Sequence, residues 1–200
     1  MDDHDTADAW AHLGPLPEHE LEFHFLSGTP SLEFATTVGE RWRRNFERLR
    51  TPDDFSRWAV ESGLLASPPQ VSSGQLDAAR ELREAIYRTA KLAGEGKPDP
   101  ADVALMNRWA AKPPLAPTLD DSGRRLALRG STDALLSTLA RDAIELVTGP
   151  HAHRVRECAS DTCALIFVDT SRPGRRRWCS MDGCGNREKT KQYRQRKAAV

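Results

Sequence analysis

All four cysteines of the chain lie near its C-terminal end, in two pairs with the same internal spacing. Four residues separate the cysteines of each pair, and fifteen residues separate Cys163 from Cys179. Two turns that each supply two thiolates can enclose one tetrahedral ion, and four cysteines leave no open coordination position. Because thiolate is a soft ligand that suits Zn²⁺, the spacing predicts one structural zinc ion. Its predicted ligands are Cys158, Cys163, Cys179 and Cys184.

Two alternatives to a zinc site stay open at the level of sequence. Two disulfides would require an oxidising compartment, but residues 1–10 are acidic and lack the basic and apolar regions of a signal peptide. An iron–sulfur or redox role is the second alternative. His151 and His153 precede the first pair and could replace a ligand, although four cysteines already close a zinc site. We therefore expect zinc and a cytoplasmic location.

Basic side chains flank the second cysteine pair on both sides. Three arginines lead into Cys179, and a segment of good helix formers follows Cys184, with Asn186 placed as its N-cap. At 100° per residue, Arg187, Lys191 and Arg194 share one face of this helix. The helix has almost no apolar stripe to bury, which favours a charged partner. The candidate nucleic-acid contacts are Arg175, Arg176, Arg177, Arg187, Lys189, Lys191 and Arg194.

The charge of the chain is zero in sum but unevenly distributed. Residues 151–200 carry 12 Lys and Arg against 5 Asp and Glu, whereas residues 1–150 carry 17 against 24. A basic module on an acidic body is typical of nucleic-acid-binding proteins. The alternative is that the basic module docks on its own acidic domain. No apolar run approaches the roughly 20 residues of a membrane span, so no membrane partner is expected.

The residues around the cysteines resemble the CGNR zinc-finger family. The resemblance rests on Phe167 and Asp169, on the run 176–181 (RRWCSM), and on the run 184–187 (CGNR) followed by a basic helix. In bacterial proteins of that family the finger follows an N-terminal domain called ABATE, to which stress-induced transcription regulation is attributed. Residues 31–37 (SLEFATT) are similar to the LDFxNT segment of that domain. The resemblance implies a bacterial transcription regulator with a structural zinc.

Two residues depart from the LDFxNT pattern. Glu33 stands where the family has Asp, and Thr36 stands where it has Asn. If the family uses these polar positions for a ligand or a fold contact, that role depends on the substituted side chains here.

The segment before the cysteines is predicted to be mainly helical. Apolar residues from Leu32 to Leu49 recur at intervals of three and four, which predicts a helix whose opposite face carries five arginines. We expect these arginines to be solvated, with a ligand carboxylate or phosphate as the alternative. Further helices are predicted from Thr51, over 74–93, from Asp99 and from Gly130 to Gly149, and a β-hairpin over 115–129.

These observations predict a mainly α fold, with a multi-helical domain that includes a small β-hairpin and a C-terminal four-cysteine zinc module with a basic helix. The predicted divisions are an acidic, loosely ordered lead (1–20), a helical ABATE-like domain (21–149) and the finger (151–200). The expected function is DNA-binding regulation, with a ligand or protein partner sensed by the helical domain. The alternatives are a protein-interaction module or an RNA-binding protein. The closed metal site and the lack of a nucleophile–base motif argue against an enzyme.

Overall fold

The computed structural model describes residues 16–120, 122–124 and 126–198, so most of the predicted acidic lead lies outside the described residues. The described helices are α1 (Glu18–Leu21), α2 (Pro30–Ala35), α3 (Pro52–Glu61), α4 (Ser73–Lys91), α5 (Pro100–Ala110), α6 (Thr132–Thr148) and α7 (Asn186–Ala198). The strands form three antiparallel pairs: β1 (Val38–Gly39) with β2 (Phe46–Glu47), β3 (Ala116–Leu119) with β4 (Leu126–Arg129), and β5 (Val155–Glu157) with β6 (Ile166–Val168). The predicted fold class, mainly α with small strand pairs and a four-cysteine module, is confirmed.

The long helices begin at capping residues that the sequence makes visible. Thr51 and Ser72 each accept a hydrogen bond from the third helical residue, and that residue's side chain returns a bond to the cap, which forms a capping box. Asp99 and Ser131 cap α5 and α6 with a single side-chain hydrogen bond each, without a capping box. These local signals explain why the predicted starts of the four helices agree with the structure.

The main hydrophobic core lies between α2, α4, α5 and α6, with α3 packed on α4. Phe34, Phe55 and Trp58 are fully buried in it, and their ring centroids are 5.2–5.9 Å apart. Such aromatic contacts add to the area that the rings bury. Among the described residues, no helix is both long and apolar enough to cross a membrane.

The helix predicted over 32–49 is wrong beyond Ala35. The chain instead forms β1, reverses through Glu40 and Asn45 with φ of 43° and 50°, and returns as β2. The reversal places Glu47 beside Arg83 of α4, where two hydrogen bonds of 2.7 Å join the buried side chains. This long-range ion pair, which local spacing does not reveal, favours the strand over a continued helix.

The predicted solvated arginine face is consequently wrong for Arg48. This residue is only 7% exposed, because the reversal turns it toward the body rather than toward water. Arg41 is also held, by Glu84 of α4 and by the carbonyl of Ala35. Trp42 is one of the apolar residues that the helix prediction places on the buried face, but it is 50% exposed.

Strand β6 lies between the main core and the cysteine module. Its three residues are all buried, but they alternate in direction as strand side chains must. Ile166 and Val168 belong to the main core, whereas Phe167 packs against the cysteines. The backbone N–H of Val168 also donates to the carbonyl of Ser27 at 2.9 Å. Val155 of β5 also packs on the main core, and Glu157 pairs with Lys91 of α4 at 3.0 Å, so β5 and β6 together fasten the module to the body.

Candidate metal centre and nucleic-acid interface

Two turns bring the four cysteines together. In the first, the N–H of Cys158 donates to Leu165 O at 2.8 Å, and the N–H of Cys163 donates to Ser160 O at 3.1 Å. In the second, Cys184 lies in a π-helical turn (Met181–Gly185) that leads directly into α7. All four sulfur atoms lie within 4.8 Å of one another.

The sulfur positions fit a tetrahedral zinc ion. Cys179 Sγ lies 3.8 Å from Cys163 Sγ and 3.6 Å from Cys184 Sγ. A zinc tetrahedron with bonds of about 2.3 Å has sulfur–sulfur edges of about 3.8 Å, whereas a disulfide requires about 2.05 Å. The cysteines are all unpaired. This donor set is that of one structural Zn²⁺, and the candidate metal-ligating group among the described residues contains neither His151 nor His153.

Hydrogen-bond donors around the cluster offset thiolate charge. The Cys179 N–H donates to Cys158 Sγ at 3.4 Å, and the Arg187 guanidinium donates to Cys184 Sγ at 3.0 Å. Because four thiolates around Zn²⁺ carry a net charge of about −2, these donors favour the deprotonated, metal-binding form.

Asp169 and Arg176 hold the loop before the second cysteine pair. Asp169 is fully buried and accepts hydrogen bonds from the N–H groups of Ser171 and Arg176, at 2.9 and 2.8 Å. Burial alone would raise the pKa of Asp169, but these bonds keep it below its usual value. The Arg176 guanidinium lies 4.6 Å from the centre of the Phe167 ring and donates to the carbonyls of Trp178 and Cys179. Sequence reasoning missed this internal role of Arg176.

The other predicted nucleic-acid residues lie on an outer surface. Arg175 and Arg177 are exposed, and the Arg177 guanidinium carbon lies 5.1 Å from the centre of the Trp178 ring. Every residue of α7 from Lys189 to Lys197 is exposed. Lys191 pairs with Asp161, while Lys189 and Arg194 form no ion pair among the described residues. The structure thus exposes Arg175, Arg177, Lys189, Lys191 and Arg194, but gives Arg176 and Arg187 partners inside the finger.

The two departures from the LDFxNT pattern serve contacts within the fold. Glu33 Oε1 accepts from the N–H groups of Ser27 and Gly28, at 2.7 and 3.0 Å, which fixes the loop before α2. Thr36 Oγ1 donates to Glu33 O at 2.9 Å, and its carbonyl accepts from Arg48. Burial raises the pKa of Glu33, although the bonds from Gly28 and Ser27 reduce that effect.

Two family profiles match the chain. The profile of ABATE, described as "Putative stress-induced transcription regulator", matches residues 28–150. The profile of the CGNR zinc finger matches residues 154–197. No curated protein matches the chain, and neither family description names an enzymatic activity. Since the first match spans more than half of the chain and the second spans the cysteine module, the protein belongs to the ABATE family and carries a C-terminal CGNR zinc finger.

Proposed function

We propose that this protein is a cytoplasmic transcription regulator that binds DNA through its zinc finger and senses a ligand or partner through its helical domain. The observation that carries the proposal is α7, which is exposed from Lys189 to Lys197 and contains six Lys and Arg against one Glu. A helix that buries no face gains little from packing, and its charge matches a phosphate backbone.

The proposed interface combines α7 with the loop before Cys179. Arg175 and Arg177 extend from that loop, and Lys189, Lys191 and Arg194 extend from the helix. Most of these cations would contact phosphates, while an arginine can also bind a guanine edge in the major groove. We assign Arg176 and Arg187 to the internal structure of the finger, because their donors already bond to the Trp178 carbonyl and the Cys184 sulfur.

The zinc ion acts as a scaffold in this proposal. A catalytic zinc keeps one position open to water or substrate, whereas four cysteines close the site. The ion would hold Cys179, which precedes the π-helical turn, and Cys184, which lies within it, and would so fix the start of α7. An enzymatic role has no support in the matched families, and we propose that the protein is not an enzyme.

The salt dependence of DNA binding tests the proposal. Five phosphate contacts should give a slope of log K against log salt of roughly −4 to −5, because each contact releases counterions. The double variant Lys189→Ala with Arg194→Ala should reduce the magnitude of that slope by about 2 and weaken all duplexes alike. The double variant Lys97→Ala with Arg108→Ala is the matched control, since both residues are exposed on the body.

Fluorescence polarisation with a pool of genomic duplexes and the same sequences as RNA measures both slopes. Wild-type protein that binds no duplex at low salt would contradict the proposal and favour a protein-interaction module. RNA binding that exceeds DNA binding, with the same loss in the α7 variant, would assign the interface to RNA instead. Equal losses in the body control would show that the charge effect is not specific to the finger.

A further inference from the structure

A cavity of about 270 Å³ lies where the β1–β2 segment of the body faces the first cysteine turn. One wall belongs to the body and one to the zinc module, so an occupant would contact both. The principal wall residues are Val38, Phe46, Arg48, Cys163, Ala164 and Leu165. Cys163 is the least buried of the four cysteines. The volume is close to the lower end of the range for small-molecule sites.

Arg48 is the unusual residue of this cavity. Its Nε donates to Glu20 O at 2.8 Å and its Nη1 donates to Thr36 O at 3.2 Å, and both acceptors are uncharged carbonyls. Its guanidinium lies 4.8 Å from the centre of the Phe46 ring. Within the described residues, Nη2 has no hydrogen-bond partner and Arg48 forms no salt bridge.

The carboxylates whose charges act on Arg48 are those of Glu20, Glu47 and Glu40, and other arginines already engage them, Arg83 in the case of Glu47. Glu20 and Glu40 both pair with Arg44, at 2.8 and 2.9 Å. Burial lowers the pKa of Arg48 to about 10, so the side chain still carries its charge at neutral pH. Burial and then the Arg48 charge lower the pKa of His24 at the cavity edge, which keeps that imidazole neutral. A buried charge is normally compensated by a partner, and the protein supplies Arg48 with no bonded carboxylate.

We propose that the cavity binds a small organic monocarboxylate, with its carboxylate on Arg48 and its apolar body against Val38, Phe46 and Leu165. A single negative charge suits the site, because Arg48 is the lining arginine without a bonded anionic partner among the described residues: Arg44 pairs with Glu20 and Glu40, and Arg187 donates to the sulfur of Cys184. A dianion such as phosphate would exceed the charge of this one guanidinium and would be repelled by Glu20 and Glu40. The proposal deepens the sensing role proposed above, since the ligand would bridge the body and the finger.

Titration of ¹⁵N-labelled, zinc-loaded full-length protein with benzoate tests this site directly. Benzamide is the uncharged match of the same shape, and inorganic phosphate is the multiply charged comparison. Benzoate should shift amide signals in 36–48 and 162–166 and bind about tenfold more tightly than benzamide. Arg48→Met should abolish that preference. Arg50→Met, an exposed arginine two residues along, should leave it unchanged.

A second variant keeps the test valid if Arg48→Met does not fold. Val38→Leu retains Arg48 but narrows the cavity, and should weaken benzoate binding by about fivefold or more. Equal affinity for benzoate and benzamide, signal shifts elsewhere, or tighter binding of phosphate would each overturn the proposal. Zinc loss from Arg48→Met without benzoate binding to wild type would assign Arg48 to the thiolate cluster instead. Because the readout is binding, a failure of DNA binding would leave this result standing.

Discussion

At the scale of single residues, the buried charges of this protein act mainly as fixed hydrogen-bonding partners of backbone and side chains. Glu47 and Arg83 are 2% and 3% exposed, and their bidentate pair joins β2 to α4. Asp169 holds two N–H groups of the loop before Cys179. Removing one partner of such a pair leaves an uncompensated buried group, which is the costly case.

The metal centre gives the first prediction at this scale. Wild-type protein purified with reductant should contain about one equivalent of zinc with Zn–S distances near 2.3 Å. Cys184→Ser should lose most of it, because the change removes a ligand and the acceptor of Arg187. His151→Ala should retain the full equivalent, since that histidine is outside the cluster. Metal analysis and X-ray absorption measure both quantities, and a folded, metal-free finger or a Cys158–Cys163 disulfide would refute the assignment.

Glu33 gives the second prediction. Glu33→Gln keeps an acceptor for Ser27 and Gly28 and removes a buried charge, so at pH 8 it should be at least as stable as wild type. Because burial raises the folded pKa of Glu33, the wild type binds more protons when folded and loses stability as the pH rises past the unfolded value. Any advantage of Gln should therefore disappear at about pH 4.

Glu33→Ala is the contrasting variant. It leaves the two N–H groups without their acceptor, and should cost about 1–3 kcal/mol at both pH values. Urea unfolding at the two pH values gives the comparison. A Glu33→Gln protein as unstable as Glu33→Ala would show that the negative charge itself is required.

At the scale of elements, α7 differs from the long helices of the body, α3 to α6, in having no buried side. Helices α3, α4 and α6 each bury several apolar residues, and α5 buries Met106 and packs Leu105 and Trp109 on the core. The stability of these helices comes from that packing. Helix α7 instead continues from the π-helical turn that contains Cys184, with the metal module as its support. Its stability therefore depends on intrinsic propensity, on the cluster and on any charged partner.

This dependence predicts that helix propensity controls DNA affinity. Tyr193 is exposed on α7, so Tyr193→Gly changes no charge and removes no packing inside the protein. The variant should lower helix content by circular dichroism and weaken DNA binding about fivefold relative to Tyr193→Ala, because glycine costs about 1 kcal/mol against alanine. If both variants bind DNA equally while their helix contents differ, α7 does not bind as a helix.

At the scale of the whole molecule, β6 is one of the elements through which the two matched regions meet, together with β5. Ile166 and Val168 complete the main core, and Phe167 completes the cluster around the cysteines. The domain boundary predicted at Gly149, where α6 ends, stays a prediction. The contacts of β6 with the main core and with the cysteines provide a way to test it. Most of the main core comes from residues before α6 ends.

We predict that a zinc chelator unfolds the cysteine module and α7 while the helices between residues 28 and 148 persist. The reason is that zinc supplies the folding free energy of the small module, whereas the body has its own core. Heteronuclear NMR with and without chelator resolves the two sets of amides. Cooperative loss of both sets in one step would show that the finger and the body form a single folding unit.

Two adjacent residues of β6 provide the matched controls. Ile166→Ala should lower the melting temperature of the body, with a cost of about 2–5 kcal/mol, and leave zinc affinity nearly unchanged. Phe167→Ala should instead weaken zinc retention against chelator, because its ring packs on the cysteines. If both substitutions changed body stability and zinc retention equally, the two side chains would not point to opposite sides of β6 as described.

The metal centre, four helix starts and the β3–β4 hairpin can be predicted from local sequence. The cysteine spacing predicts the metal centre because a turn of fixed length holds each pair in place whatever surrounds it. Thr51, Ser72, Asp99 and Ser131 locate four helix starts because capping bonds involve residues only two or three positions away. The predicted hairpin over 115–129 is confirmed as β3 and β4 for the same reason, since its pairing partners are close in sequence.

Only the tertiary structure decided the course of residues 36–48 and the roles of the arginines around them. Apolar spacing from Leu32 to Leu49 is compatible with a helix, but the buried contact of Glu47 with Arg83 spans 36 residues of sequence. Arg48 looks like a surface cation in the sequence, but the fold buries it and gives it the carbonyls of Glu20 and Thr36, which lie 28 and 12 residues away. Side chains with several donors take their role from whichever acceptors the fold brings near, and local spacing contains no information about those acceptors.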